Sequence, residues 1–415
     1  MSRLRLGPDF TRLLSATISS NLGDGIRLTA GPLLVASLTQ DPVLVAMAVF
    51  AQQLPWLLIA LPAGAYLDRL DRCRVVTAVN LARAALVGAF TVLLATGTLS
   101  LPLLYLVLFL VGVAEVVADN ASSALVPTVV ADEHLPRAYA RLGAAFVVSN
   151  QLVGPPLGAW LFTAGAAWAF GLEAAAFVLA AVLLTGIRRR TAPEPEAPLE
   201  RTSLHQDIRE GVVWLWRQHT VRLLAVVLAV MNVTFSAAFS VWVLLAQQRL
   251  GVTEVGFGLL LTASAVGGLT GAALAGRLND RFGPGTLLRV GLLTETAVLL
   301  ALAMTTQAWV AGIVMVAFGA HTAVWGAVAT TVRQRLVPDR LRARVGSVYF
   351  LLVMGGSAVG ALVGGFLARW LGLTGPFWIA AAVDGVLLLT VWRSFTSSRL
   401  TPPHVSGAEH QEDDR

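Results

Sequence analysis

The sequence predicts an all-α integral membrane protein with about twelve transmembrane helices in two six-helix halves. Three observations lead there. Of 415 residues, 56% are hydrophobic and 13% charged, and the mean hydropathy is +0.73, whereas a soluble chain carries roughly 25% charge. Apolar stretches of about 20 residues, the length of helix that crosses a bilayer, recur throughout. The connections between them alternate between arginine-rich and arginine-poor. Transmembrane barrel strands would show about 10 residues of alternating polarity, and no such alternation is present.

The segments read as helices over 11–38, 43–67, 75–97, 101–126, 139–164 and 167–187, then 221–247, 254–278, 286–305, 308–332, 344–369 and 374–393. The first is too long, too charged and too closely followed by further spans to be a cleavable signal peptide. One side of the chain receives Arg3, Arg5, the cluster from Arg69 to Arg74, Arg137, Arg141, Arg188 to Arg190, Arg277, Arg281 and Arg333 to Arg344. The other receives Arg249 and Arg369. The positive-inside rule makes the first side, with both termini, cytoplasmic. Localisation is therefore read as the inner (plasma) membrane, multi-pass.

Residues 1–187 form a first half and 220–394 a second. Between them, 188–219 begins with the linker "RRRTAPEPEAPLERTS" and continues as "LHQDIREGVVWLWRQH". Leu204, Ile208, Val212, Leu215 and Trp216 fall there at helical spacing, which predicts an amphipathic helix on the inner surface. The tail 395–415 is polar and reads as disordered.

All 30 basic side chains are arginine, which excludes a Walker A lysine and a lysine Schiff base. A single cysteine, Cys73, excludes an internal disulfide, and six scattered histidines show no metal-ligand spacing. The chain is expected to be no enzyme, to need no cofactor or metal, and to bind no nucleic acid. Its net charge of +6 follows from topology.

The two halves repeat each other. Gly64, Asp68 and Arg69 in "GAYLDRLDRCR" return 212 residues later as Gly276, Asp280 and Arg281 in "GRLNDRFG". Leu135, Gly154 and Gly158 return 206 residues later as Leu341, Gly360 and Gly364. Duplicated halves joined by a linker suggest a transporter with a mid-membrane site between them.

These residues resemble the major facilitator superfamily. Its signature after the second helix, Gly-x-x-x-Asp-Arg-x-Gly-Arg-Arg/Lys, is matched by Gly64, Asp68, Arg69 and Arg72. Asp71 replaces the signature glycine and Cys73 a basic residue, so the turn is expected to differ. The resemblance implies a cytoplasmic gate: Asp68 meets the segment around Arg342 and Arg344, Arg69 or Arg72 meets Asp119, and Gly276, Asp280 and Arg281 form the second copy. The alternative is that these arginines only set topology. On the fifth span, Gly154, Pro155 and Gly158 in "NQLVGPPLGAW" resemble the Gly-Pro-x-x-Gly-Gly of the superfamily's exporters, with Ala159 at the last position. Ordinary small-residue packing is the alternative. "SNLGDGIRLTAGPLL" and "AEVVADNASSALVPTVV" resemble the drug:proton antiporter-3 or transmembrane secretion effector group, which includes macrolide and enterobactin exporters.

Ionisable residues inside a membrane are functional candidates by default. Asp24 lies near the middle of the first span with Arg27 one turn on, and Asn21, Gly23 and Gly25 are expected to expose backbone beside it. Glu115 lies near the middle of the fourth span, with Asp119 one turn further. In the superfamily the first, fourth, seventh and tenth helices line the cavity. That favours Asp24, Arg27, Glu115, Asn232 and His321 as proton-coupling or substrate residues over Arg83, Glu173, Glu295 and Asp384, which read as structural. Asp24 with Arg27 is either a proton carrier or a permanent pair. Phe235, Phe239, Trp242, Met315, Phe318 and Trp325 either line an apolar cavity or simply pack.

The sequence thus points to a monomeric secondary transporter in the lipid bilayer. It would export amphipathic small molecules, such as drugs, macrolides or siderophores, by proton antiport. Proton-linked uptake, or a non-transporting sensor or assembly partner, are the alternatives.

Overall fold

A computed structural model of the chain describes residues 6–67, 70–187 and 204–395. Among these, regular structure is entirely helical. The first half contains α1 (Pro8–Leu38), α2 (Pro42–Leu67), α3 (Arg72–Ala95), α4 (Leu101–Val129), α5 (Leu135–Phe146), α6 (Gly154–Ala164) and α7 (Ala166–Thr185). Then come α8 (Leu204–Arg217), α9 (His219–Phe239), α10 (Trp242–Gln248), α11 (Glu254–Met304), α12 (Ala308–Leu336), α13 (Arg342–Leu371) and α14 (Gly375–Val391). The linker 188–203, the tail 396–415, Asp68 and Arg69 lie outside the described residues.

Eight helices are long and apolar enough to cross a membrane by those criteria alone. One of them, α11, is in fact two spans. Gly283, at φ 73° and ψ 160°, breaks the helical path just before Pro284. Both ends of α11 then lie on the same face, where Arg249 donates to the carbonyls of Ala303 (3.0 Å) and Thr305 (3.1 Å). With α1, the α5–α6 unit and α14, the described residues are consistent with twelve spans.

Two spans are irregular. Val147–Val153 is a π-helical stretch joining α5 to α6. It precedes Pro155, which lacks an N–H and cannot complete a regular turn. The seventh span breaks at Ser240 and Val241, dividing it into α9 and α10.

Asp71 stands where the signature has glycine, and it differs in conformation from its counterpart in the second copy. Asp71 has φ −66° and caps α3, its carboxylate accepting from the Arg74 N–H at 3.2 Å. Gly283, 212 residues on, occupies the matching position and keeps the positive φ. The acid serves as a helix cap where the second copy uses glycine's left-handed freedom.

The repeated glycines make repeated contacts. A Cβ at Gly154 would strike Gly25 at 2.6 Å, and one at Gly158 would strike the backbone of Ile26, both on α1. A Cβ at Gly360 or Gly364 would strike the backbone of Val233 or Ala237 on α9 in the same way. Helices this close need residues without side chains at the crossing. The same segment faces the other half, because Gly258 on α11 abuts the Pro155 carbonyl and the Ala159 Cβ, each 2.8 Å from where its own Cβ would lie. The second seam brings α2 against α13, with Trp56 and Phe350 ring centroids 6.3 Å apart.

The halves are clasped unequally. At the face away from the termini one apolar core runs through both, from Leu33 and Leu34 to Leu244, Leu245 and Phe377. Asp41 is ion-paired with Arg369 across that face, and Gln248 donates to Gln40. At the terminal face, which carries residues 6 and 395, the core divides. Phe10, Leu13 and Leu184 belong to one cluster, and Leu288, Trp325 and Phe395 to another. α8 docks at this face. Leu215 is fully buried, Gly211 fits against the Arg344 backbone of α13, and Glu210 pairs with Arg344. Val212 and Trp216, expected on the apolar face, are exposed.

Candidate functional site

Asp24 and Arg27 lie one turn apart on α1, and the chain around them is built for close approach. Gly23 faces Glu173 of α7, whose Cγ and carbonyl would each be 3.4 Å from a Cβ. Gly25 faces the Asn150 backbone, and the Asn150 amide donates to the Asn21 carbonyl at 3.3 Å. Both glycines are buried. They bring neighbouring helices in; they do not expose backbone, as the sequence had suggested.

Arg27 is the centre of a buried ionic network. Its Nε donates to Glu173 (2.9 Å), and its Nη2 donates to Asp24 (2.9 Å) and to Glu115 (2.6 Å). Its Nη1 reaches the Gln52 amide oxygen at 3.3 Å. Asp24 is shared with Arg83 of α3, whose guanidinium lies 3.9 Å above the Phe177 ring. Arg83 is 1% exposed and Glu173 is fully buried. A cleft of about 50 Å³ reaches Asp24 between α1, α3 and α4, lined also by Asn21, Asn80, Arg83, Asp119 and Ser122. Asp119 is within electrostatic reach of both arginines, Asp24 and Glu115.

The charge balance is uneven. Four carboxyl groups, Asp24, Glu115, Asp119 and Glu173, share two arginines, which stay charged in a protein. Excess buried negative charge is costly in low dielectric. The network is therefore chemically suited to hold protons, or a cationic group, in exchange for one another.

The second half holds a smaller cluster. His321 Nε2 lies 2.7 Å from Glu295 Oε2, both nearly buried. Thr234 Oγ1 lies 3.0 Å and 3.2 Å from the two oxygens of Asp384. Beside it, Phe235, Phe239 and Phe318 stack with centroids 4.4 to 5.4 Å apart, and Phe318 meets the His321 ring edge-on at 5.6 Å. Trp242, Met315 and Trp325 are core residues.

A family profile described as "Transmembrane secretion effector" matches residues 6–406. The chain belongs to that family. Transmembrane secretion effectors are major facilitator transporters, so this protein is a membrane transporter of small molecules and not an enzyme. It is 26% identical over 424 residues to the enterobactin exporter EntS of Shigella boydii, spanning 99% of this chain and 98% of that one. It is 39% identical over 131 residues to an uncharacterized MFS-type transporter of Mycobacterium tuberculosis, covering 31% of this chain and 30% of that one. Its fold is similar to that of the nucleoside transporter NupG, at TM-score 0.76 and 10% identity, over 93% of this chain and 99% of that one. It is also similar to a bacterial homologue of the iron transporter ferroportin in an inward-facing state, at TM-score 0.73 and 18% identity, over 95% and 99%.

In this secretion effector, Asp24, Arg27 and Glu115 converge as one network, and His321 joins a second. Asn232 does not meet either; its amide donates to the Leu228 carbonyl at 2.9 Å. Of the gate residues, Gly64 lies within α2 and Asp68 and Arg69 fall outside the described residues. Arg72 donates to the Ala124 carbonyl at 2.9 Å, while Asp119 faces the cleft. Arg342 pairs with Asp339 at 2.8 Å and Arg344 with Glu210. Gly276, Asp280 and Arg281 lie on α11 just before its break, with Arg281 over the Phe282 ring at 5.5 Å. Reading from the sequence ranked Arg83, Glu173, Glu295 and Asp384 below the cavity residues by helix number and took the three acids as structural partners of buried polar groups; each of the four is a direct member of a cluster. The repeat spacing could have found them: Arg83 to Glu295 is the same 212 residues as Gly64 to Gly276.

Proposed function

We propose that this transporter exports amphipathic small molecules from the cell in exchange for protons, acting as a monomer in the inner membrane with its terminal face cytoplasmic. One observation carries the reading: the mid-bundle network in which two permanent cations serve four carboxyl groups, with a polar cleft leading to it from the terminal side. A proton arriving from outside neutralises one carboxyl and loosens its hold on Arg27. Substrate then competes for the freed group, and proton departure restores the network. Groups that bind two ligands exclusively couple their movements. One charge crossing about 100 mV supplies roughly 2.3 kcal/mol, enough for a gradient of about fifty-fold.

The export direction rests on the helix-five glycines and proline and on the relative named as an enterobactin exporter. The same relative makes enterobactin the first substrate to try, with macrolides and lipophilic dyes beside it. The test is uptake into inside-out vesicles under an imposed proton gradient. Accumulation that a protonophore collapses is the expected result. Accumulation indifferent to the gradient would overturn proton exchange, and accumulation only in right-side-out vesicles would overturn export.

A further inference from the structure

The second cluster stands where the first one stands, one repeat later. Asp24 on α1 corresponds to Thr234 on α9, 210 residues on, and Arg83 on α3 to Glu295 on the second limb of α11, 212 on. Glu115 on α4 corresponds to His321 on α12, 206 on, and Glu173 on α7 to Asp384 on α14, 211 on. Two of these intervals equal the 212 and 206 that relate the loop and glycine motifs, and the other two, 210 and 211, differ from 212 by one or two residues. The helices that meet correspond as well. α1 reaches α7 through Arg27 and Glu173 in the first half, and α9 reaches α14 through Thr234 and Asp384 in the second, although Arg27 itself aligns with Ala237.

What differs is the permanent charge. The first network is pinned by Arg27 and Arg83. Among the described residues, the groups facing the second are Thr234 from α9, Glu295 from α11, His321 from α12 and Asp384 from α14. Arg289, on the same limb as Glu295, donates instead to the Phe395 carbonyl at the terminal face. On α13, Arg344 and Arg369 are occupied at opposite ends, and Tyr349 donates to the Val221 carbonyl. The one cation this cluster can make is His321, and only by binding a proton.

The hydrogen bonds point the same way. At 2.7 Å a hydrogen lies between the His321 Nε2 and the Glu295 carboxylate, which the imidazole's own N–H supplies, and the buried Nδ1 on its other side has no hydrogen-bond partner among the described residues. The Thr234 hydroxyl has one hydrogen but lies 3.0 Å from each of the carbonyls of Val230 and Met231 as well as beside Asp384. If it donates to its own helix, the Asp384 carboxyl must supply the hydrogen between them. Asp384 is fully buried and Glu295 is 3% exposed.

We propose that Glu295, His321 and Asp384 form a second proton-binding site, the repeat-related counterpart of the Arg27 network. Each half then carries its own proton load through the cycle; that role in transport rests on the proton-exchange reading above, whereas the binding itself does not.

Infrared difference spectra of purified full-length protein, titrated from about pH 5 to about pH 9 across the histidine range, test it without substrate. Wild type should show a buried carboxylic-acid band that changes with pH. Glu295→Gln and Asp384→Asn should each remove part of it, and Asp24→Asn should remove a different part. If the band is the same in wild type, Glu295→Gln and Asp384→Asn, the proposal fails. Should either variant not fold, isotope-labelled histidine in wild-type protein gives a second reading. A buried imidazole whose protonation follows the carboxyl band supports the site, and one fixed in a single form across the range overturns it. Titrating bands with protonophore-insensitive transport would sink the exchange reading and leave the site standing. Proton-driven transport without these bands would sink the site alone.

Discussion

Arg27 Nη2 lies 2.6 Å from Glu115 Oε2, joining the middle of α1 to the middle of α4 inside the membrane. The same nitrogen lies 2.9 Å from Asp24. Neutralising either acid therefore changes what the other experiences, and the two positions can be separated experimentally.

Asp24 serves both Arg27 and Arg83, whereas Glu115 serves Arg27 and is a quarter exposed. We expect Asp24→Asn to abolish proton-driven accumulation while leaving downhill exchange, and Glu115→Gln to give a milder loss that depends on the substrate. Substrate-induced proton release from purified protein, read with a pH dye, checks both. Unchanged release from Asp24→Asn with lost release from Glu115→Gln would move the coupling role to α4.

Arg27 holds three carboxylates through two nitrogens and Gln52 through a third. Lysine keeps the charge but offers a single nitrogen, so it cannot bridge α1, α2, α4 and α7 together. Breaking a buried ionic network costs about 3–5 kcal/mol. Arg27→Lys should lose a large part of that and show a lower Tm in detergent. A wild-type Tm would mean that the network contributes little to the fold.

Gly158 and Gly364 abut backbone on α1 and α9, while a Cβ at Gly346 on α13 would meet nothing within 4 Å. Gly158→Ala and Gly364→Ala should each destabilise by about 1–3 kcal/mol through overpacking. Gly346→Ala should stabilise by up to about 1 kcal/mol through helix propensity. Equal effects at all three sites, measured by thermal unfolding, would contradict the close helix crossings.

The Asp41–Arg369 pair ties α2 to α13 at the face away from the termini, with side chains 26% and 51% exposed. Exposed pairs of this kind contribute about 0–1 kcal/mol. Arg369→Ala should therefore raise the population open at that face by at most about five-fold. Distances between spin labels at the ends of α2 and α13 would show it; an unshifted distribution would leave the clasp to the apolar core and the Gln40–Gln248 contact.

Arginines crowd the terminal face. Single cysteines at positions 195 and 252, in a Cys73→Ser background, should respectively resist and accept an impermeant reagent in intact cells. Labelling at position 195 would reverse the proposed orientation.

Much of the architecture was readable from residues in order. Hydropathy sets which segments enter the membrane, arginine placement separates two unlike faces, and the spacing of Gly64, Gly154 and Gly158 against Gly276, Gly360 and Gly364 reveals the duplication. All three are one-dimensional properties of the chain. The break at Gly283 before Pro284 was readable too, because both residues restrict the backbone locally.

The membership of the charged clusters was not. Helix number favoured α1, α4, α9 and α12, but whether a side chain reaches a cluster depends on which face of each helix turns inward. Spans with charge-free, evenly apolar surfaces carry little periodic signal about rotation. Arg83 and Glu173 turn toward Asp24 and Arg27, and Asn232 turns to its own helix, because the glycine crossings at Gly23, Gly25, Gly154 and Gly158 fix how α1, α6 and α7 pack. Sequence determined the spans and their repeat; only close packing between distant segments decided which buried charges meet.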